Sequence, residues 1–185
     1  FALPADDRSG VDGTNRAPRH TCQLAARNDI DAIRAWLSRK PEGSATWRAY
    51  RREAERFLIW AVLHRKKALS SLGFEDCIAY REFMRNPEQD WVRAGKRQPA
   101  RFTRDWRPFA GPLGTESLQA AQTILRAMCQ FLKDVNYLAA NPWVGVPLDA
   151  PSIETTPFRA RSLPEAAWAQ LVEWLHDPLS NAPGP

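Results

Sequence analysis

The sequence predicts an all-α protein: a compact four-helix unit, then a linker and one further helix. Three observations predict it. Apolar residues recur at three- and four-residue spacing through four separate stretches. Residues suited to capping or to the first turn stand at their starts, and Asn-Pro or Lys-Pro pairs close three regions. No stretch shows the strict alternation of a half-buried strand.

Residues 1–27 hold Pro4, Gly10, Gly13 and Pro18 without a sustained period and are expected to form an extended or disordered arm. Its cations Arg8, Arg16, Arg19 and Arg27 fit either a phosphate backbone or a solvated tail. The first helix should start at Asn28, a good N-cap, with Asp29 and Asp31 at the positive end of the dipole. Its apolar stripe is Ile30, Ile33, Trp36 and Leu37, and Lys40-Pro41 ends it. The second helix, "SATWRAYRREAERFLIW" and onward to about His64, is capped by Ser44. One side carries Trp47, Tyr50, Ala54, Phe57 and Ala61; the other carries Arg48, Arg51, Arg52 and Arg56. The third helix spans about 74–85, with Phe74, Ile78, Phe83 and Met84 as its apolar set, and Asn86-Pro87 stops it.

Residues 87–114 lack a helical period and are too long for an ordinary connection. Trp91, Phe102, Trp106 and Phe109 interleave there with Arg93, Lys96, Arg97, Arg101, Arg104 and Arg107, so part of this insert should pack on the bundle with its cations outside. The fourth helix, "TESLQAAQTILRAMCQFLKDV", is expected to be capped by Thr115, with Leu118, Ala121, Leu125, Met128 and Leu132 facing inward. Asn141-Pro142 closes the region. A linker, 147–161, carries Pro147, Pro151 and Pro157. Residues 162–185 then open with a capping box, Ser162 and Glu165, and Leu163, Ala167, Leu171 and Trp174 form an apolar face. That last helix either docks on the first four or begins a second domain.

The chain has 185 residues, 26 Lys and Arg against 21 Asp and Glu, and a formal net charge of +5. That balance favours an anionic partner, although many soluble proteins are mildly basic. Cys22, Cys77 and Cys129 have no zinc spacing, and an odd count argues against a disulfide framework, so a reducing cytoplasm is expected. No apolar run is long enough to span a bilayer. His20, His64 and His176 lie apart without matched ligands, Gly-rich phosphate loops are missing and no serine stands in a nucleophile elbow. No metal, no cofactor and no catalytic set is therefore expected; the residues point to binding rather than turnover. With Phe1 first and methionine only at Met84 and Met128, a processed or excised fragment is expected.

Several stretches together resemble one family. "SATWRAYRREAERFLIW" is similar to the second helix of the core-binding domain of tyrosine recombinases, the phage integrase family. Ser44, Thr46, Tyr50, Arg51 and Arg52 match that helix, with one residue fewer between Ser and Thr. "LSSLGFEDCIAYREFM" resembles the turn and third helix, and "SLQAAQTILRAMCQFLKDVNYLAANPW" the last helix with its Asn-Pro ending. "DWRPFAGPLG" is similar to an insert of some bacterial integrases, and "RSLPEAAWAQLVEWL" to the linker end and first helix of the catalytic domain. The resemblance covers roughly residues 28–175, and the order and spacing of its loose motifs carry it.

That resemblance implies a SAM-like DNA-binding domain at 28–146 and a truncated catalytic domain from 162. It implies second and fourth helices laid against double-stranded DNA, largely in the major groove, within a two-domain clamp. The family's catalytic Arg, His-x-x-Arg and Tyr are absent here; His64-Arg65-Lys66-Lys67 is not that motif. The chain itself is thus expected to be no enzyme but a DNA-binding fragment of a site-specific recombinase. The parent would work as a tetramer on synapsed DNA in the bacterial cytoplasm, at the nucleoid; the fragment would be monomeric. Arg48, Arg51 and Arg52 would neutralise phosphates and Thr46 would donate its hydroxyl. Ser117 matches the family position at the start of the fourth helix. Gln119, Gln122, Thr123 and Arg126 would reach base edges or backbone. Lys96, Arg97, Arg101 and Arg104 would extend the contact. Glu53 and Glu55 leave open that some of these charges neutralise each other on a solvated face. The alternative class is a basic helical module that binds an acidic protein and has no DNA role.

Overall fold

The computed structural model describes residues 7–95, 99–101 and 103–148. The chain divides into two units, Phe1–Pro151 and Ser152–Pro185. All described residues belong to the first; the expected helix from Ser162, nearly all of the linker, Lys96, Arg97 and Phe102 lie outside them. The described part is all-α, with four helices: α1 Asp29–Leu37, α2 Ala45–Ile59, α3 Phe74–Arg85 and α4 Thr115–Asp134. Among the described residues the only pairings of strand type are two isolated bridges, Arg16 with Leu138 and Val92 with Phe109.

Local chemistry sets the helix starts. The Asn28 side chain accepts the Asp31 N–H at 2.9 Å and caps α1. The Ser44 hydroxyl accepts the Trp47 N–H at 3.1 Å and caps α2. Asp76 accepts the Gly73 N–H at 3.1 Å at the start of α3. Gly114, not Thr115, is the N-cap of α4; Thr115 is its first helical residue, because the chain enters extended at Gly114. α1 ends at Leu37, before Lys40-Pro41, where the backbone turns with Ser38 N–H on the Arg34 carbonyl.

α2 does not run unbroken to His64. It passes at Trp60 into a π-helical turn, Trp60–His64, in which the Arg65 N–H bonds the Trp60 carbonyl at 3.1 Å. Every residue from Phe57 to Val62 is buried, so here the helix is apolar all round and lies within the core. Lys66, at φ 57°, then turns the chain away.

α4 packs against α1, α2 and α3. Leu118, Ala121, Leu125, Met128 and Leu132, the expected inner face, are all buried. α3 differs in part: Cys77, Tyr80, Phe83 and Met84 point inward, while Phe74 stands on the outside at 43% exposure. Phe57, Trp60, Tyr80 and Trp143 form the aromatic centre, with Phe57 4.8 Å from Tyr80 and 5.7 Å from Trp143. The insert joins this core through Phe109, which is fully buried and lies 5.8 Å from Phe83. Its backbone is tied by Arg93 N–H to Phe109 C=O at 2.9 Å and by Leu113 N–H to Met84 C=O at 3.0 Å.

The N-terminal arm is not a free tail from residue 7 onward. Asn15 N–H bonds the Ser70 carbonyl at 2.8 Å, its carbonyl accepts Ala139 N–H at 2.8 Å, and Gln23 N–H bonds the Val135 carbonyl at 2.9 Å. Arg16 lies 3.8 Å over the Tyr137 ring. Asp29, expected at the positive end of the helix dipole, stands in the first turn of α1 and is fully buried. It accepts the Ser70 N–H at 3.1 Å and the Tyr137 hydroxyl at 2.8 Å. Burial pushes its carboxyl above the ordinary range against these hydrogen bonds and the nearby Arg16.

Candidate nucleic-acid interface

The outward row of α2 is Ala45, Arg48, Ala49 and Arg52, at steps of three, one and three residues. Small residues alternate with guanidinium groups, and the row itself carries no carboxylate. Arg48 is exposed and donates to the Gly43 carbonyl, which bends it over the helix start. Thr46 is exposed beside it.

The other arginines of α2 are organised by two glutamates. Glu53 is 3% exposed. It accepts Arg52 Nε at 2.7 Å and Arg56 Nη1 at 3.1 and 3.2 Å. Arg56 is nearly buried, also donates from Nε to the Pro108 carbonyl at 2.8 Å, and lies 4.8 Å over the Phe109 ring. Arg52 keeps 54% of its side chain exposed. Glu55 accepts Arg51 Nε at 2.6 Å and also Arg101 of the insert. Each carboxylate is thus shared by two guanidiniums, and each cluster retains one positive charge. Both clusters connect α2 to the insert.

On α4, Gln119, Thr123 and Arg126 share the side away from the core with Ala120 and Ala127. Thr123 Oγ1 donates to the Gln119 carbonyl at 2.8 Å, and Arg126 donates to the Val146 carbonyl. Ser117 is exposed in the first turn. Gln122 is the correction: it is fully buried, one turn from Leu118 and from Leu125, and cannot meet a base edge in this arrangement. Arg104 is exposed in the insert. Lys96 and Arg97 fall outside the described residues.

Sequence reasoning named Arg51 and Arg52 as phosphate ligands and left open that Glu53 and Glu55 neutralise some of these charges; the structure pairs Arg51 with Glu55 and Arg52 with Glu53. The Arg51–Glu55 pair has i, i+4 spacing and was readable. The Arg101–Glu55 link spans 46 residues and had no local signal. Lys40, read only as part of a helix end, and Arg39, given no role from sequence, are mounted on aromatic faces: Arg39 lies 4.7 Å over Phe131 and Lys40 5.5 Å over Tyr50.

Burial drives the Cys77 thiol far up and the Cys129 thiol up to about 12, which suits core thiols and not nucleophiles. Among the described residues no group of three or more His, Cys, Asp or Glu could hold a metal ion. No helix among them is long and apolar enough to cross a membrane. Comparison of the chain with known protein families, with characterised proteins and with solved structures finds no match.

Proposed function

We propose that this chain grips double-stranded DNA as the SAM-like core-binding part of a site-specific tyrosine recombinase, with α2 and α4 laid on the duplex. The outward row of α2 carries this reading: Arg48 and Arg52 project beside the small Ala45 and Ala49, so the helix backbone can approach a phosphate backbone closely. α2 packs directly on α4, whose outer side offers Gln119, Thr123 and Arg126 next to two alanines. Arg101 and Arg104 extend the positive surface along the insert. In this reading the chain binds and does not cut. Its sequence lacks the Arg, His-x-x-Arg and Tyr set, and strand exchange on synapsed DNA at the nucleoid is left to a longer parent.

The test is binding to duplex DNA across a salt series. Arg48, Arg52, Arg101 and Arg104 contacting about four phosphates give a slope of log affinity against log salt of roughly −3.6. Arg48→Ala with Arg52→Ala should weaken binding to every sequence and lower the slope by about 2. A flat salt dependence, or an unchanged slope in the double variant, refutes the interface.

A further inference from the structure

The groove between α1 and α2 has a chemistry that DNA binding leaves unused. Ile33, Leu37 and Leu58 form its base, and Ile30 and Trp47 stand half-buried on its walls. Its volume is about 820 Å³. On α2 it runs from Trp47 to Ile59, roughly 18 Å at the helical rise, which is the length of about three helical turns.

Its rim is cationic: Arg34, Arg39, Lys40 and Arg51 line it, and of these Arg51 is the one closely paired with a carboxylate, Glu55. Arg39 and Lys40 rest on the Phe131 and Tyr50 rings, so aromatic faces and not carboxylates hold them. Arg34 is 74% exposed and meets Asp31 only at 3.7 Å. Of the two acids that line the groove, Glu55 is already occupied by Arg51 and Arg101, and Glu42 stands exposed beyond Pro41.

A duplex about 20 Å wide presents a polyanionic, largely polar surface and is too broad to reach an apolar floor between two neighbouring helices, which pack about 8–10 Å apart. A single helix, about 10–12 Å across, fits that space as a third member of a bundle. The charge pattern asks for an apolar stripe flanked by carboxylates. We propose that the α1–α2 groove binds an acidic amphipathic helix of a partner protein, its stripe on Ile30, Leu37 and Trp47 and its Asp or Glu flanks against Arg34, Arg39 and Lys40. This surface is separate from the outward row of α2 and stands whether or not that row binds DNA.

The probes are two synthetic helical peptides of about 16 residues with one identical leucine stripe, one flanked by Glu and the other by Lys. They are titrated calorimetrically into the whole chain at physiological salt. The Glu peptide should bind at least about 10-fold tighter than the Lys peptide. Arg39→Glu with Lys40→Glu, both exposed positions, should reverse that preference. Ile30→Asp should abolish binding of both peptides, and Arg48→Ala with Arg52→Ala should leave it unchanged. Equal binding of the two peptides, binding of neither, or displacement of the Glu peptide by duplex DNA would overturn the proposal.

Discussion

Replacing Arg56 with methionine tests whether the Glu53 cluster holds the interface in place. Glu53 is 3% exposed and takes two contacts from Arg56, at 3.1 and 3.2 Å, and its shortest from Arg52, at 2.7 Å. Without Arg56 the buried carboxylate keeps a single partner that is itself 54% exposed. Removing one member of a buried ion pair costs about 3–5 kcal/mol; Arg52 remains, so the lower end applies, about 3 kcal/mol. The lost Arg56 bond to the Pro108 carbonyl adds about 1 kcal/mol. Urea unfolding at pH 7 should therefore show a loss near 4 kcal/mol, and the melting temperature should fall by about 10 °C. The control is a second substitution, Glu53→Leu, in the same chain. It removes the orphaned charge and should restore stability to within about 1 kcal/mol of the parent, since apolar replacement of a buried pair is close to neutral. If the two single changes each cost under about 1 kcal/mol and simply add in the double variant, the cluster is not a coupled unit and the reasoning fails.

The two perturbed aspartates should show opposite pH behaviour. Asp29 is raised from 3.8 by burial, so the folded chain holds its proton where the unfolded chain has lost it. Its contribution is fully present below 3.8 and is lost as pH rises toward the folded value, so the parent should gain stability on Asp29→Asn as pH falls toward 3.8. Asp76 is lowered: burial opposes its ionisation, but the Gly73 N–H, Lys67 and Arg65 outweigh that. Its contribution is present above 3.8 and lost as pH falls through the folded value, so the parent's advantage over Asp76→Asn should vanish on acidification. Urea midpoints from pH 3 to 7 check both, and trends of the same sign would contradict the assignments. Gly13→Ala would place a Cβ 2.1 Å from Ser70 Oγ and 2.7 Å from the Ser70 carbonyl. It should cost about 2 kcal/mol in thermal or urea unfolding; no loss would mean the arm detaches freely. Gln122→Ala should lower stability by about 1–2 kcal/mol and leave DNA sequence preference unaltered in competition binding.

The helices were legible where the signal is local. Asn28 and Ser44 announce α1 and α2, Asn86-Pro87 closes α3 at the expected residue, and the inner face of α4 follows from spacing alone. The arm was not legible because its partners are distant backbone groups, the Ser70 and Tyr137 carbonyls and the Ala139 N–H, and an extended chain leaves no period. Asp29 looked like a dipole acid because Ser70 and Tyr137 arrive from 41 and 108 residues away. Gln122 was a readable error: with Leu118, Leu125 and Cys129 it continues the buried stripe at four- and three-residue steps, and polarity alone had placed it outside. At the candidate interface the cationic row of α2 was visible in sequence, whereas the burial of Glu53 and the reach of Arg101 to Glu55 depend on the insert folding back.

Shared carboxylates change what the α2 arginines can do without cancelling them. Two guanidiniums per glutamate leave a positive remainder, and depth decides which charge a ligand meets. Glu53 lies under the surface while Arg52 stands above it, and a phosphate in contact with Arg52 is nearer to the cation than to the acid behind it. At physiological salt, with screening over about 8 Å, that first contact dominates. Glu53 also fixes Arg52 Nε, and Arg56 holds the Pro108 backbone, so the cation row and the insert are held by one linked cluster. A ligand that meets this surface then loses less side-chain and loop entropy on binding than it would against loose arginines. The same glutamates that lower the total charge therefore make the remaining cations a more definite target, and affinity should follow the geometry of the clusters more closely than the net charge of +5.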